Sequence, residues 1–135
     1  MKIVLDTNVW LSAIFWEGEA SRIIEKNKKN IKILTSEKIL SEIISVLSRE
    51  AKFQKYIFDL KLNIEDLLRT ILSISKLIET KTKLEIVKAD PKDNIILETA
   101  LDGKADYIVS YDKHLLNMIE FRNIKIITPG EFLKL

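Results

Sequence analysis

Short runs of apolar and β-branched residues recur along the chain and predict β-strands. Five such runs stand out, at residues 2–5, 31–35, 84–87, 106–110 and 124–128. The segments between them carry apolar residues at spacings of three and four, which predicts amphipathic helices. Strands that alternate with helices favour a parallel sheet covered on both faces. We therefore predict an α/β fold, a three-layer α/β/α sandwich with a central, mainly parallel five-stranded sheet.

Helical patterns follow one another between the second and third predicted strands. Residues 36–48 and 63–78 have regular apolar faces, and Ser36 and Asn63 stand where N-caps are needed. Residues 50–60 have a looser helical pattern with several aromatic side chains. We expect these segments to form a helical layer or arm beside the sheet.

Acidic residues stand where this arrangement would bring them together. The four are Asp6, Glu42, Asp93 and Asp112. Asp6 and Asp112 follow the ends of two predicted strands, and Asp93 comes closely after a third. The crevice of an open α/β sheet lies beyond the carboxyl ends of its strands, so we expect one acidic pocket there. Such acids would repel one another strongly unless a divalent cation lay among them.

Helix capping is the simpler interpretation for Asp6, Asp90 and Asp112. Each precedes a predicted helix. An aspartate at that position accepts hydrogen bonds from the free backbone N–H groups of the first turn. Taken singly, each of the three residues is explained by capping alone.

Asp93 is harder to explain as a cap or a surface residue. Its helix begins at Pro91 and ends at Gly103, with the usual placement of proline and glycine. Within that helix, Asp93 shares the apolar face of Ile96 and Leu97. A carboxylate on this face points at the sheet, where burial without a partner is costly. A metal ion would supply the partner.

Glu42 gives a weaker signal of the same kind. It lies at the margin of the apolar face of residues 36–48, beside Ile39 and Val46, where a side chain can line a groove. The alternative for Glu42 is an ordinary salt bridge to Lys38.

The chemistry of this acidic set favours a hard divalent cation. Three or four carboxylates, with no histidine or cysteine expected nearby, select Mg²⁺ or Mn²⁺ over zinc or copper. Such ions commonly act on phosphates, where they activate a water and neutralise charge on the departing oxygen.

Composition limits the remaining possibilities. The 135 residues are expected to form a single domain over 1–135, and the net charge of +2 is too small to identify a nucleic-acid-binding protein. The absence of cysteine excludes disulfides, zinc–thiolate sites and thiol catalysis. Strand-like sequence begins at Lys2 and no apolar run approaches membrane-spanning length. We therefore expect a soluble, cytoplasmic protein without a signal peptide.

Several short motifs, taken in their order and spacing, resemble a PIN domain over essentially the whole chain. They are Asp6-Thr7-Asn8, Ser36–Ile43 with its embedded Glu42, Asp90-Pro91-Lys92-Asp93, Ala105–Lys113 and the closing Ile127–Leu133. The resemblance implies a metal-dependent ribonuclease fold, often found as the VapC-like toxin of a toxin–antitoxin pair. It therefore also implies RNA as substrate and an antitoxin protein as partner.

The resemblance also implies roles for individual residues. The family's acidic quartet corresponds to Asp6, Glu42, Asp93 and Asp112, and the supporting positions correspond to Asn8, Ser110 and the additional acid Asp90. Our hypothesis is that the three aspartates of the quartet bind one or two Mg²⁺ or Mn²⁺ ions. Glu42 would ligate through water or act as general base. Two positions depart from the family's commoner pattern, namely Asn94, where an acid is frequent, and Tyr111, where glycine is frequent and a larger side chain could narrow the pocket.

Other residues allow more than one interpretation. Basic side chains that could line an RNA path are Lys38, Arg49, Lys52, Lys55, Lys92 and Lys113, although a solvated helix face explains each one singly. His114 could contact a phosphate, but a lone histidine is more often a surface residue. We favour Trp10 and Trp16 as core or dimer-interface residues over a role as base-stacking platforms. An apolar chain of this kind also suits a homodimer.

Four other functions compete with the toxin hypothesis. One is a stand-alone RNA-processing nuclease, and another is a non-catalytic PIN-like scaffold or RNA-binding protein. The third is a haloacid-dehalogenase-type phosphatase, whose nucleophilic aspartate is followed two residues later by an acidic proton donor. Asn8 occupies that position here, which disfavours the phosphatase. A phosphorylated receiver domain fits less well still, because its paired acids and lone phospho-acceptor are not found cleanly.

Overall fold

The structure is a computed structural model that describes residues 1–26, 30–87 and 90–135. In chain order its elements are β1 (Lys2–Leu5), α1 (Thr7–Phe15), α2 (Glu19–Lys26), β2 (Lys32–Thr35), α3 (Glu37–Arg49), α4 (Ala51–Asp59), α5 (Ile64–Ile74), β3 (Lys76–Leu77), α6 (Pro91–Asp102), β4 (Tyr107–Val109), α7 (Lys113–Leu116), β5 (Glu120–Phe121), β6 (Ile124–Ile127) and α8 (Pro129–Leu133).

A mostly parallel sheet forms the centre of the molecule, with helices on its two faces. Its strand order is β3-β2-β1-β4-β6-β5, and every neighbouring pair is parallel except the antiparallel pair β5 and β6. The predicted three-layer α/β/α fold is therefore confirmed. The described part of the chain contains six strands in this sheet, where five were predicted.

The central strand β1 is buried along nearly its whole length, and Ile3, Val4 and Leu5 have no exposed surface. This matches the continuous apolar sequence of a parallel strand covered on both faces. On either side, β2 and β4 pair with it in parallel. Asp6, the first predicted site residue, comes directly after β1 and therefore lies at the carboxyl edge of the sheet.

The predicted strand at residues 84–87 is wrong. The third strand along the chain is instead the short β3, which lies inside the segment that was predicted as helix 63–78. Helix α5 starts as predicted, because Asn63 Oδ1 accepts a hydrogen bond from Asp66 N at 2.8 Å, but it ends at Ile74.

Residues 81–87 instead form an extended strap alongside α6. Their backbone N–H groups are bound by side chains spaced four residues apart on that helix, Asn94, Glu98 and Asp102. Asp102 accepts hydrogen bonds from the hydroxyl and the backbone N–H of Thr82 and from Lys81 N, and these bonds hold its pKa below its usual value.

Further along the strap, Glu98 Oε2 accepts from Leu84 N at 2.9 Å. Asn94 Oδ1 accepts from the backbone N–H groups of both Ile86 and Val87, and its amide nitrogen donates to the Val87 carbonyl at 3.0 Å. The apolar, strand-like sequence is thus extended, but helix side chains take the place of a neighbouring strand as its hydrogen-bond partners.

Strand β5 was missed because its turn carries no glycine. Arg122 and Asn123 connect β5 to β6 and have φ values of 46° and 69°. Positive φ at both central residues is the requirement of the tight two-residue hairpin, for which Asn-Gly is the usual signal.

Helical and aromatic predictions are largely confirmed. Ser36 accepts from Ile39 N and caps α3, and α4 occupies the looser pattern at 50–60. Trp10 is fully buried in the core, whereas Trp16 is 42% exposed and meets the Tyr56 ring edge to face at 5.7 Å. Among the described helices, none has the length and apolar character needed to cross a membrane.

Candidate functional site

A cleft of about 270 Å³ lies at the carboxyl edge of the sheet. It is lined by Asp6, Thr7, Asn8, Glu42, Val46, Arg49, Glu50, Asp90, Lys92, Asp93 and Asp112. The structure therefore brings all four acids of the predicted quartet to one place. Asn8 and Asp90 line the same cleft, while Ser110 is fully buried beneath it.

Asp6 and Asp112 are joined through Ser110. The carboxylate of Asp6 accepts from Thr7 N at Oδ1 and from the Ser110 hydroxyl at Oδ2, each at 2.7 Å. The Ser110 hydroxyl oxygen accepts from Asp112 N at 2.9 Å. Asp6 thus caps α1 and faces the cleft at once, so the two sequence interpretations of this residue are compatible.

Of the four quartet acids in the cleft, Asp93 has the fewest hydrogen-bond and ion-pair partners among the described residues. It is only 4% exposed, on the same helix face as the buried Ile96 and Leu97, which agrees with its helical phase in the sequence. Among the described residues, none forms a hydrogen bond with its Oδ2. Burial, and then the charges of Asp112, Asp90 and Asp6, raise the pKa of Asp93 from 3.8 to about 7.

Asp6 is shifted in the same direction. Burial raises its pKa, the hydrogen bonds from Ser110 and Thr7 oppose the rise, and the charges of Asp112 and Asp90 add to it. Neighbouring carboxylates are therefore close enough to disfavour the ionised forms of Asp6 and Asp93. A cation placed among them would relieve both the burial cost and the repulsion.

Asp112 is the N-cap of α7, and its Oδ1 accepts from His114 N at 2.7 Å. The same turn brings the His114 ring back toward the acid, with Nδ1 3.5 Å from Oδ1. One ligand atom each from Asp93, Asp112 and His114 lie within 4.8 Å of one another. The expectation that no histidine lies near the acids is therefore wrong, and the position two residues after an N-cap was the signal that could have shown it.

Glu42 also lines the cleft, and its carboxylate pairs with two cations. Its Oε1 is 3.2 Å from Lys92 Nζ and 3.6 Å from Arg49 Nη2, and its side chain is 17% exposed. The alternative pairing of Glu42 with Lys38 is wrong, because Lys38 Nζ lies 3.2 Å from Glu98 Oε1 instead. Arg49 comes from two turns further along α3 itself, whereas Lys92 comes from the first turn of α6 and meets Glu42 only because the two helices pack together.

The predicted supporting residues differ in what they contact. Ser110 holds Asp6 directly through its hydroxyl. Asn8 is exposed and lines the cleft, while the groups that hold Asp6 are Ser110 and Thr7 N. Asp90 caps α6 by accepting from Lys92 N at 3.1 Å, and its charge also acts on the neighbouring aspartates.

The two departures from the family pattern now have a place in the fold. Asn94 is buried with its amide bound to the strap, where it needs both a donor and an acceptor, and a carboxylate could not supply the donor. Tyr111 is 45% exposed and is not among the described residues that line the cleft.

Of the six predicted RNA-path residues, Arg49 and Lys92 line the cleft. Lys38 forms a salt bridge with Glu98, and the Lys52 ammonium lies over the Phe53 ring, 5.0 Å from its centroid. Lys55 and Lys113 are exposed on α4 and α7. The cleft therefore has an acidic floor and a basic edge.

The donor set fits a divalent cation. Carboxylate oxygens predominate, one of them is buried without a partner among the described residues, and the charges of neighbouring acids raise the pKa of Asp6 and of Asp93. Ligand atoms of Asp93, Asp112 and His114 lie within 4.8 Å of one another, as they would around one ion, and Asp6 lines the same cleft.

Comparisons with known proteins bear on the family and the fold of the chain. Residues 2–114 match the PIN domain family. The fold is similar to a chain in the crystal structure of VapBC2 from Rickettsia felis bound to a DNA fragment from their promoter, with a TM-score of 0.65. That match has 20% sequence identity and covers 93% of this chain and 97% of the other. No curated protein sequence gives a match.

Proposed function

The chain belongs to the PIN domain family, and from this premise we propose that it is a metal-dependent endoribonuclease that hydrolyses RNA phosphodiester bonds. The observation that carries the proposal is the convergence of Asp6, Glu42, Asp93 and Asp112 on one cleft, with a buried Asp93 oxygen that lacks a partner among the described residues. Residues 1–135 would act as a single nuclease domain.

Asp6, Asp93 and Asp112 would hold one or two Mg²⁺ or Mn²⁺ ions, with Glu42 bound through water. When bound, the metal supplies an activated water and stabilises charge on the phosphate oxygens. Protein groups preset the carboxylates for this task. Ser110 and Thr7 N hold both oxygens of Asp6, and the Ser110 hydroxyl also accepts from the Asp112 backbone, which limits the rotamers available at the site.

The basic edge would bind the RNA backbone. Lys92 and Arg49 lie beside the acidic floor, so a phosphate can contact them while its neighbour reaches the aspartates. Contact with a phosphate would draw these cations away from Glu42 Oε1. That oxygen could then accept a proton from the attacking water, which is the general-base role proposed for Glu42.

The direct test is cleavage of single-stranded RNA in the presence of Mn²⁺, with EDTA and the Asp6→Asn variant as controls. We expect cleavage by the wild-type protein alone, and only with metal. Cleavage that survives EDTA or the substitution would contradict the mechanism. Binding of RNA without any cleavage would favour the scaffold alternative.

We also propose that the protein is a VapC-like toxin that acts in the cytoplasm as a homodimer with a cognate antitoxin. The fold likeness to VapBC2, a structure that contains promoter DNA, supports this proposal. Exposed apolar side chains could serve either protein contact, and among them Trp16 is 42%, Leu60 58% and Phe58 82% exposed.

The toxin proposal has its own test. We expect expression of the protein alone to arrest growth, and co-expression of the product of a small adjacent gene with a DNA-binding N-terminus to relieve the arrest. An active nuclease without such a neighbour and without toxicity would instead indicate a stand-alone RNA-processing enzyme.

A further inference from the structure

The imidazole ring of His114 lies close to the acidic floor without a short hydrogen bond to it. His114 Nδ1 is 3.5 Å from Asp112 Oδ1, which is longer than an ordinary hydrogen bond. That oxygen already accepts from the backbone N–H of residue 114 at 2.7 Å. The ring therefore lies near Asp112 without forming a short hydrogen bond to it.

Three donor atoms from different residues converge at this point. Single ligand atoms of Asp93, Asp112 and His114 all lie within 4.8 Å of one another, as they would around one ion. Asp93 gives an independent indication of a ligand, since its buried Oδ2 has no hydrogen-bond partner among the described residues. His114 is exposed beside Asp112, so its ring can turn without repacking the core.

We propose that His114 is a nitrogen ligand of the metal ion bound by Asp93 and Asp112, and that it makes the site selective for Mn²⁺ over Mg²⁺. This inference depends on the proposed function only in assuming that the cleft binds a divalent cation. Three oxygen-only ligands would give the oxygen-rich site that Mg²⁺ prefers. One imidazole shifts the preference toward transition metals, because these bind nitrogen more strongly.

The alternative is that His114 is a surface residue whose protonated form pairs with Asp112. In that case the metal would contact oxygen donors alone, and replacing the histidine would alter Mn²⁺ and Mg²⁺ binding equally.

The chain offers an unusually direct experiment because it contains one histidine in 135 residues. Mn²⁺ bound to the protein, prepared without a histidine tag, would be studied by pulsed electron paramagnetic resonance for coupling to ¹⁴N of imidazole. Any such coupling must come from His114. We expect it in the wild-type protein and its loss in His114→Gln.

Calorimetric titration with Mn²⁺ and Mg²⁺ gives the second readout. We expect His114→Gln to weaken Mn²⁺ binding about tenfold or more, since even the outer partners of metal ligands contribute that much. Mg²⁺ binding should change by less than about twofold, so the ratio of the two affinities should fall about fivefold or more. Asn117→Ala, an exposed position just after α7, is the matched control and should leave both affinities unchanged.

Absence of nitrogen coupling in the wild-type protein, or equal losses for both ions, would overturn the inference. RNA cleavage is measured separately on the same samples. Cleavage without nitrogen coupling would refute the role of His114 and leave the nuclease proposal intact. Nitrogen coupling without cleavage would support the role of His114 and refute the nuclease proposal. Failure of Mn²⁺ to bind at all would refute both.

Discussion

The acids that line the cleft form two groups, called here the aspartate side and the glutamate side, which differ in the charge of their protein partners. The aspartate side consists of Asp6, Asp93 and Asp112, whose protein partners are neutral hydrogen-bond donors and the single imidazole of His114. On the glutamate side, Glu42 has Lys92 at 3.2 Å and Arg49 at 3.6 Å. One side is left with unbalanced negative charge, and the other is neutralised by the chain itself.

The difference shows where an external cation is needed. Burial and mutual repulsion raise the pKa of Asp6 and Asp93, so ionising the aspartate side without a metal costs free energy. A partly exposed carboxylate with two cations already has its counter-charge. We therefore assign direct metal binding to the aspartates, while the glutamate side would meet the substrate.

The largest expected effect is on catalysis by the aspartate side. Asp93→Asn should lower the rate of Mn²⁺-dependent RNA cleavage by about a thousandfold or more, because a bound metal contributes several kcal/mol to transition-state stabilisation. The measurement is the single-turnover cleavage rate at saturating Mn²⁺. Asp59→Asn, an exposed acid on α4, is the matched control and should retain wild-type activity. Comparable losses in both variants would show that the loss does not arise from the cleft.

The next effect is on stability and has a defined pH dependence. Because the folded-state pKa of Asp93 is raised from 3.8 to about 7, the metal-free folded protein binds more protons than the unfolded chain between these values. Its stability should therefore fall as pH rises from about 4 to about 7, by up to about 4 kcal/mol for this group. Urea unfolding in EDTA at several pH values measures the change.

Two further unfolding measurements check the assignment of that pH dependence. Mn²⁺ should restore the stability lost at neutral pH, because it binds the ionised, folded form. Asp93→Asn should flatten the profile and stabilise the metal-free protein, in contrast to its effect on activity. A variant as pH-dependent as the wild type would place the titrating group elsewhere.

An intermediate effect on stability is expected at Asn94, the neighbour of Asp93 on α6. Asn94→Ala removes three hydrogen bonds to the strap and leaves backbone groups of Ile86 and Val87 unpaired. We expect a loss of about 1–3 kcal/mol in unfolding free energy. Hydrogen exchange should quicken at those two amides first, whereas Asn117→Ala should change neither quantity. Unchanged exchange would show that the strap does not depend on this amide.

The smallest effect is expected on the glutamate side. Lys92→Met should weaken binding of single-stranded RNA and reduce the slope of log affinity against log salt concentration by about 0.7, the share of one phosphate contact. Lys32→Met, which removes an exposed lysine at the amino end of β2, away from the carboxyl edge of the sheet, is the control and should leave the slope unchanged. Equal slopes for Lys92→Met and the wild type would remove Lys92 from the RNA path.

The sequence alone was enough to predict the layered α/β fold and the direction of Asp93. The continuous apolar run at residues 2–5 favours a strand covered on both faces, as β1 is. Its helical spacing from Ile96 and Leu97 predicts that Asp93 faces the core, and its 4% exposure agrees with that prediction. Both predictions depend on local periodicity, which a single chain records directly.

Tertiary packing decided what local pattern could not. Residues 84–87 have a strand's composition, yet α6 presents Asn94 and Glu98 to their backbone, and no described strand lies beside them. Lys92 reaches Glu42 because two helices distant in sequence pack together.

The same limit separates the predicted from the observed chemistry of the cleft. The carboxylates could be found one by one because each ends a strand or faces a helix core. The pKa rise of Asp6 and Asp93, the neutral hydrogen-bond partners of Asp6 and the approach of His114 to Asp93 depend on distances between elements. Electrostatic energy varies with those distances and with burial, which only the folded chain determines.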